Sequence, residues 1–427
     1  MKSKALLVLL LFVAATSGAD NKTLAVRFGK LWDGQKVING ALVVIQGDRI
    51  ESITGGNPAP PAGARVVDWS AYYGLPGLID VHTHMTYYWD RTSGGRPLGQ
   101  SRMPAVTVYL AQENARKTLQ AGVTTVRDLG SQDFTDMAMR DLINMGAMLG
   151  PRMFACGYGL TVPRAQRPGI PPVMGPATAD SPESVMKAVR NMVAAGADVI
   201  KMYGSVGGFD NVGTQQTFTY EEMKAAVEIS HTMGKKIAIH SYGPEGGRDA
   251  VRAGADSLEH AVDLDDATLT QMVRQGTYYV PTIDHNRYYV EAAAEYQFAP
   301  GYDARLNAYI QRNFETAKRA FKAGVKFAMG SDAVYTMFGQ NTRELLWFVK
   351  LGMTPEQALR TATVQAAELL GQSDNLGAVA PHHFGDLIAV EGDPLVDIGA
   401  AVNNVRGVMK GGKVLTLAIQ QAAPSNE

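Results

Sequence analysis

From residue 78 onward the chain alternates short apolar runs with longer stretches in which apolar residues recur every three or four positions. The short runs are rich in β-branched residues and end in polar ones, the pattern of strands covered on both faces. They predict strands over residues 78–82, 123–128, 152–156, 198–202, 236–240, 257–260, 278–280 and 326–329. The periodic stretches predict helices over 105–120, 182–195, 220–233 and 303–322, with two more near 342–351 and 355–370. Strand–helix alternation repeated about eight times is the pattern of a (β/α)8 or TIM barrel, an α/β fold. A doubly wound open sheet is the alternative, but no glycine-rich dinucleotide fingerprint stands at its first turn.

The chain ends have a different texture. Residues 24–54 read as short strands, 25–28 and 41–45, and Gly47-Asp48-Arg49 is a turn that joins antiparallel neighbours. Strand character returns over 386–390 and 405–415. Pairing tail with head gives one small β-sandwich-like domain built from residues 20–73 and 376–427, leaving 74–375 for the barrel. Before it, Lys2 and Lys4 precede an apolar run from Ala5 to Ala15, and Ser17-Gly18-Ala19 offers small residues for cleavage. Residues 1–19 therefore read as a signal peptide, with an uncleaved anchor helix as the alternative, and the protein is expected to be secreted or periplasmic. Cys156 is the single cysteine, so no internal disulfide forms.

A length of 427 residues suits a large barrel with an appended module. The formal net charge of −1 supplies no basic field to attract nucleic acid or an acidic membrane. The expected partner is a small-molecule or dipeptide-like substrate.

The candidate chemistry lies at predicted strand ends. Of eight histidines, His82, His84, His240 and His260 fall there, and in this fold the C-terminal strand ends share one mouth. His82 and His84 are one residue apart, so on an extended strand both rings point the same way. A lone His-x-His is weak evidence; the argument rests on number and placement. Lys201 ends the fourth predicted strand and Asp332 follows the eighth. A lysine is ordinarily a cation, but burial beside positive charge disfavours the ammonium, and the free amine can add carbon dioxide to become an anionic carbamate. The plainer reading pairs Lys201 with Asp198 or a nearby carboxylate.

The stretch from Gly74 to His84 (Gly-Leu-Pro-Gly-Leu-Ile-Asp-Val-His-Thr-His) resembles the first-strand motif of the metal-dependent amidohydrolase superfamily. Ser257-Leu258-Glu259-His260-Ala261, Gly330-Ser331-Asp332-Ala333, Gly385-Asp386-Leu387-Ile388 and Gly392-Asp393-Pro394 are similar to its later blocks. The closer likeness is to the branch of imidazolonepropionase-like hydrolases, Xaa-Pro dipeptidases, lysine/arginine carboxypeptidases and ochratoxin-hydrolysing amidases. The resemblance implies two divalent ions, most simply zinc. His82 and His84 would bind the more buried one and His240 and His260 the more exposed. Carboxylated Lys201 would bridge them, and Asp332 would bind the buried ion and move the proton. The implied reaction is hydrolysis of the amide bond of dipeptides or N-acyl amino acids by a water activated between the ions. The implied assembly is a homo-oligomer, up to a high-order one. Hydrolysis of a cyclic amide, deamination of a heterocycle, and an inactive barrel acting as a binding protein are the competing readings.

Tyr203 is the candidate donor to the developing oxyanion. Loops at the mouth carry Tyr87-Tyr88-Trp89 and Tyr288-Tyr289, with Arg164, His285 and Arg287 as candidates to hold a substrate carboxylate and Tyr88 to line an apolar pocket. Each is equally readable as an ordinary loop residue. Two segments depart from the pattern of the branch, Gly159-Leu160-Thr161-Val162 and Phe338-Gly339-Gln340-Asn341, where relatives often carry a histidine. His231, His382 and His383 read as structural or surface residues, and Asp263, Asp265 and Asp266 as a capped helix start.

Overall fold

The computed structural model describes residues 23–90, 102–163, 175–205, 215–298 and 300–415. The expected signal segment and Arg164 lie outside them. The chain opens with strands β1 (Leu24–Trp32), β2 (Val37–Gln46), β3 (Arg49–Thr54) and β4 (Arg65–Pro76). Eight short strands follow: β5 (Leu78–Thr83), β6 (Val123–Asp128), β7 (Arg152–Ala155), β8 (Val199–Tyr203), β9 (Lys236–Ser241), β10 (Ser257–His260), β11 (Tyr278–Val280) and β12 (Lys326–Phe327). The tail supplies β13 (Leu387–Val390), β14 (Val405–Lys410) and β15 (Lys413–Val414).

Strands β5 to β12 form two parallel arcs, β5-β6-β7 and β8 to β12 in order. Backbone bonds close both seams: Asp198 N–H donates to Ala155 O (2.8 Å) and Val81 N–H to Met329 O (2.9 Å). The result is the TIM barrel. The eighth strand is shorter than the sequence suggests, because Met329 N–H turns to Thr361 O instead of continuing the ladder.

The chain ends form one seven-stranded sheet, ordered β15-β14-β13-β4-β1-β2-β3. Tail meets head where β13 runs antiparallel to β4, Ile388 opposite Leu75. The sheet curls until its outer turns touch: Gly385 N–H donates to Asp48 O (2.8 Å) and Ile50 N–H to His383 O (2.9 Å). A side chain at Gly412 would sit 2.5 Å from Gly47 O, so this contact requires glycine. Val26, Phe28, Val43, Ile45, Leu387 and Met409 fill the enclosed core.

Outside the barrel run α1 (Pro104–Gln120), α2 (Thr135–Asn144), α3 (Pro182–Ala195), α4 (Tyr220–Thr232), α5 (Pro244–Ala253), α6 (Asp266–Gln275), α7 (Ile283–Glu291) and α8 (Tyr302–Ala323). Then come α9 (Glu344–Lys350), α10 (Pro355–Thr361), α11 (Val364–Leu369) and α12 (Gly399–Asn403). Reciprocal side-chain caps start α3 (Ser181 and Ser184) and α4 (Thr219 and Glu222). Asp265 caps α6 by accepting from Thr268 N–H (2.7 Å). The single helix expected over 355–370 is broken into α10 and α11 at Thr363, whose φ of −135° and ψ of −102° leave the helical region. Among the described residues, no helix is long and apolar enough to cross a membrane.

Candidate metal centre

Strand alternation puts Asp80 and His82 of β5 on one face, and His84 continues it one residue past the strand end. Asp80 receives Ser331 N–H (2.9 Å), Ser331 Oγ–H and Asn341 Nδ2 (3.0 Å), tying the base of this strand to the loop after β12. That loop carries Asp332, whose N–H donates to His82 O (2.7 Å). Three residues at the rim have left-handed backbones: His260 (φ 71°), Thr282 (φ 51°) and Asp332 (φ 52°). Such conformations cost roughly 1–3 kcal/mol each and cluster where function demands them. In β10 the reason is visible. Glu259 points into the barrel, so plain alternation would send the next side chain outward; the left-handed turn brings His260 back over the mouth.

Each of three histidines is held by its Nδ1. His82 Nδ1 donates to Glu259 Oε2 (2.7 Å), His84 Nδ1 to Gly130 O (3.0 Å), and His260 Nδ1 pairs with Thr282 Oγ1 (2.7 Å). A carboxylate and a carbonyl only accept, so the Nδ1 of His82 and His84 carries the proton and Nε2 presents its lone pair. Those two Nε2 atoms lie 3.5 and 3.2 Å from Asp332 Oδ1. Ligand atoms of His82, His260 and Asp332 all fall within 4.8 Å of one another, a spacing that suits a cation. The His240 ring lies 4.5 Å from that of His260, centroid to centroid.

The electrostatics agree with this chemistry. Burial, reinforced by Lys201, pulls His82 down to about 4, and burial holds His240 and His260 well below the usual imidazole range. These are neutral rings, the form that ligates metal. Burial also pulls on His84, but its contact with Asp332 carries it above the ordinary value. The Asp332 carboxylate thus favours positive charge beside His84 Nε2, a place that a metal ion suits. Burial pushes Asp332 up, yet the surrounding imidazoles, His285 foremost, outweigh it and keep the carboxyl well below the usual range.

Lys201 lies two residues before the end of β8, with 1% of its surface exposed. Burial lowers its pKa against the opposing pull of Glu259 and Asp332. It does not pair with Asp198, whose carboxylate instead takes Arg140 Nη1 (2.7 Å) and Ala155 N–H (3.0 Å). Tyr203 stands at the same strand end. A side chain at Gly130 would lie 2.8 Å from the Tyr203 hydroxyl and 3.3 Å from His84 Cε1, so glycine leaves room for that hydroxyl beside His84. Burial raises the phenol well above its ordinary value, so it keeps its proton as a donor must.

The substrate candidates divide. His285 Nε2 lies 3.4 Å from Asp332 Oδ2, and its Nδ1 is buried without a hydrogen bond. Arg287 does not reach the centre. Its Nε and Nη2 bind Asp284 (2.7 and 2.9 Å), Nη2 also binds Gln340 Oε1 (3.0 Å), and Nη1 binds Glu291. One turn of α7 puts Asp284 and Glu291 on its own face, so the guanidinium is occupied within the helix. Tyr88 is also turned away, its hydroxyl 3.5 Å from Glu113 of α1 and its ring 5.7 Å from the Arg102 guanidinium. Its neighbour Tyr87 points the other way and stacks on His84, centroids 4.7 Å apart. An aromatic shelf continues from there: Tyr335 lies 6.1 Å from Tyr87, and Tyr289 meets His285 edge-on at 4.8 Å. His231 pairs with Asp256 (2.8 Å) on the surface.

Two buried charged residues beside the candidate ligands were not singled out in the sequence reading, Glu259 and Arg127, both inside the barrel. Burial pushes Glu259 up, but Arg127, His82 and Lys201 overcome it and hold the carboxyl at about 2. A signal was present, since charged residues inside strands buried on both faces are rare without a partner.

An amidohydrolase family profile matches residues 73–415. Ochratoxinase of Aspergillus niger is 30% identical over 416 residues, covering 90% of this chain and 84% of that protein. The crystal structure of a Xaa-Pro dipeptidase with methionine in its active site superposes with a TM-score of 0.84 at 30% identity, covering 92% of this chain and 100% of the other. A prolidase complexed with N-methylphosphonate-L-proline gives 0.81 at 25% identity, covering 92% and 99%. The likeness spans barrel and curled sheet alike: this chain is a hydrolase of carbon–nitrogen bonds and belongs to the amidohydrolase family.

Proposed function

We propose that this protein uses two divalent cations, zinc foremost, to hydrolyse the amide bond of dipeptides or N-acyl amino acids with a free carboxylate. One observation carries the reading: His82 and His84 at the end of the first barrel strand, both held by Nδ1, turn Nε2 toward Asp332, and His260 of the sixth strand brings a ligand atom to the same place. In this reading His82, His84, His240, His260, Asp332 and Lys201 as its carbamate would hold the two cations. Bound there, such cations supply Lewis acidity and lower the pKa of water to about 7. Asp332 takes the proton of the attacking water and returns it to the leaving nitrogen, as base and then acid. Tyr203 donates to the oxygen on which negative charge grows. His285, 3.4 Å from Asp332, faces the polar end of the substrate, and the shelf from Tyr87 to Tyr289 receives an apolar side chain. Relatives named as a dipeptidase, a prolidase and an ochratoxinase support this substrate class. The N-terminal pattern supports export, and a homo-oligomer is the proposed assembly.

Metal analysis of the purified protein together with a substrate screen tests the proposal. About two ions per chain are expected, with amine release from members of Xaa-Pro, Xaa-Arg/Lys or N-acyl-phenylalanine sets. Protein that takes up no metal after zinc supplementation, or that cleaves none of the three sets, rejects it. With the best substrate, Tyr203→Phe should lower kcat about tenfold or more. An unchanged kcat removes Tyr203 from the reaction.

A further inference from the structure

The layers inside such a barrel are ordinarily filled by branched apolar side chains. Here one position in β6 holds Arg127, whose side chain is 1% exposed and crosses the interior. Its Nε donates to Val81 O of β5, its Nη1 to Ser257 Oγ (3.0 Å) and its Nη2 to Glu259 Oε1 (2.9 Å). Ser257 Oγ–H also donates to Glu259 Oε1. The other carboxylate oxygen, Oε2, accepts from His82 Nδ1 (2.7 Å). The guanidinium thus ties three strands together and ends, through one carboxylate, on the ring of a candidate ligand.

Apolar groups of equal volume usually stabilise a core at least as well as a buried ion pair. Stability alone is therefore a poor reason for Arg127 and Glu259. We propose that they are a positioning pair for the metal centre: Arg127 fixes the Glu259 carboxylate, and Glu259 sets the tautomer and ring orientation of His82. The imidazole then offers Nε2, and only Nε2, to the ion, and the hydrogen bond at Nδ1 makes that nitrogen more basic. Two further histidines are held by a backbone carbonyl and a hydroxyl, so His82 alone of these three receives a full negative charge from behind. The inference rests on the proposed reading of the site as a metal centre.

Zinc affinity in a chelator competition assay tests it, on wild type, Glu259→Gln, Arg127→Met and the double variant. Each protein is first depleted of metal and checked for near-UV circular dichroism. Glu259→Gln should weaken the tightest zinc site about ten- to a hundredfold. Arg127→Met leaves a buried carboxylate unpaired and can lose its fold; the double variant removes both charges and does not. Because Arg127 acts through Glu259, the double variant should lose about as much affinity as Glu259→Gln alone. Wild-type affinity in folded Glu259→Gln and double variants overturns the positioning role and leaves the metal reading standing. Additive losses in the double variant overturn the relay. Wild type that binds no zinc overturns both readings. Loss of the dichroism signal in Glu259→Gln and in the double variant assigns the pair to the fold and overturns the proposal as well.

Discussion

Asp332→Asn should lower kcat for any amide substrate by about a thousandfold, within the range that a positioned acid–base group supplies, and leave the protein folded. Asparagine is the right replacement for a structural reason. Asp332 sits at φ 52°, a left-handed conformation that asparagine tolerates better than alanine. Its size and its N–H bond to His82 O are retained. What is lost is a group that can take a proton and return it, and a negative charge against His82, His84 and His285. The measurement is steady-state kcat with matched circular dichroism spectra. A variant that keeps a tenth or more of wild-type turnover means that the proton travels through another residue.

Lys201→Met should abolish turnover, on the order of a thousandfold or more if a bridging ligand is lost, and at the same time raise the melting temperature of the metal-free protein. The two effects have one cause. In the metal-free chain Lys201 is buried and its ammonium is disfavoured, so its folded-state pKa lies below the ordinary lysine value. The sign follows by linkage. Below the folded pKa the penalty is fully present, and it fades as pH rises toward the unfolded value. Methionine fills similar space without that penalty, so its stabilising effect should be full below the folded-state value and shrink as pH rises toward the ordinary lysine value. Wild type rebuilt with zinc should in turn need bicarbonate for full activity, because the carbamate forms from carbon dioxide. Thermal unfolding of the metal-free proteins across pH, and reconstitution with and without bicarbonate, provide the readouts. Retained activity in Lys201→Met, or rebuilding indifferent to bicarbonate, excludes the carbamate. A gain in stability joined to a loss of function separates a working lysine from a merely structural one.

The barrel strands were legible because parallel strands covered on both sides are written as short apolar runs, such as Ile237-Ala238-Ile239 in β9. Helices were less so. α5 begins Pro244-Glu245-Gly246-Gly247, which reads as a turn. Side chains at Gly246 and Gly247 would lie 2.8 Å from Ser241 Oγ and Leu264 Cδ2, so packing demands the residues that hide the helix. α7 opens with polar residues that face the site or each other instead of solvent, and its pattern is correspondingly faint. At the centre, strand-end position marked His82, His84, Lys201, His240, His260 and Asp332 as a set. Which of Tyr87 and Tyr88 turns inward, and whether Arg287 has partners of its own, depends on side-chain direction and on neighbours that sequence order does not reveal. Arg127 and Glu259 meet only across the barrel, 132 positions apart.

The seam between β4 and β13 bears on how the chain matures. β4 leads through Gly77 straight into the strand that carries His82, and its outer edge is covered only by β13, with Leu75 and Ile388 facing each other. Contacts between partners roughly three hundred positions apart form late and slow folding. A nascent chain with every barrel strand already synthesised still exposes the edge of β4 until its last segment emerges from the ribosome, and an open edge invites pairing with another chain. Premature termination shortly after Asp332 would spare every candidate ligand and still yield a polypeptide prone to aggregate.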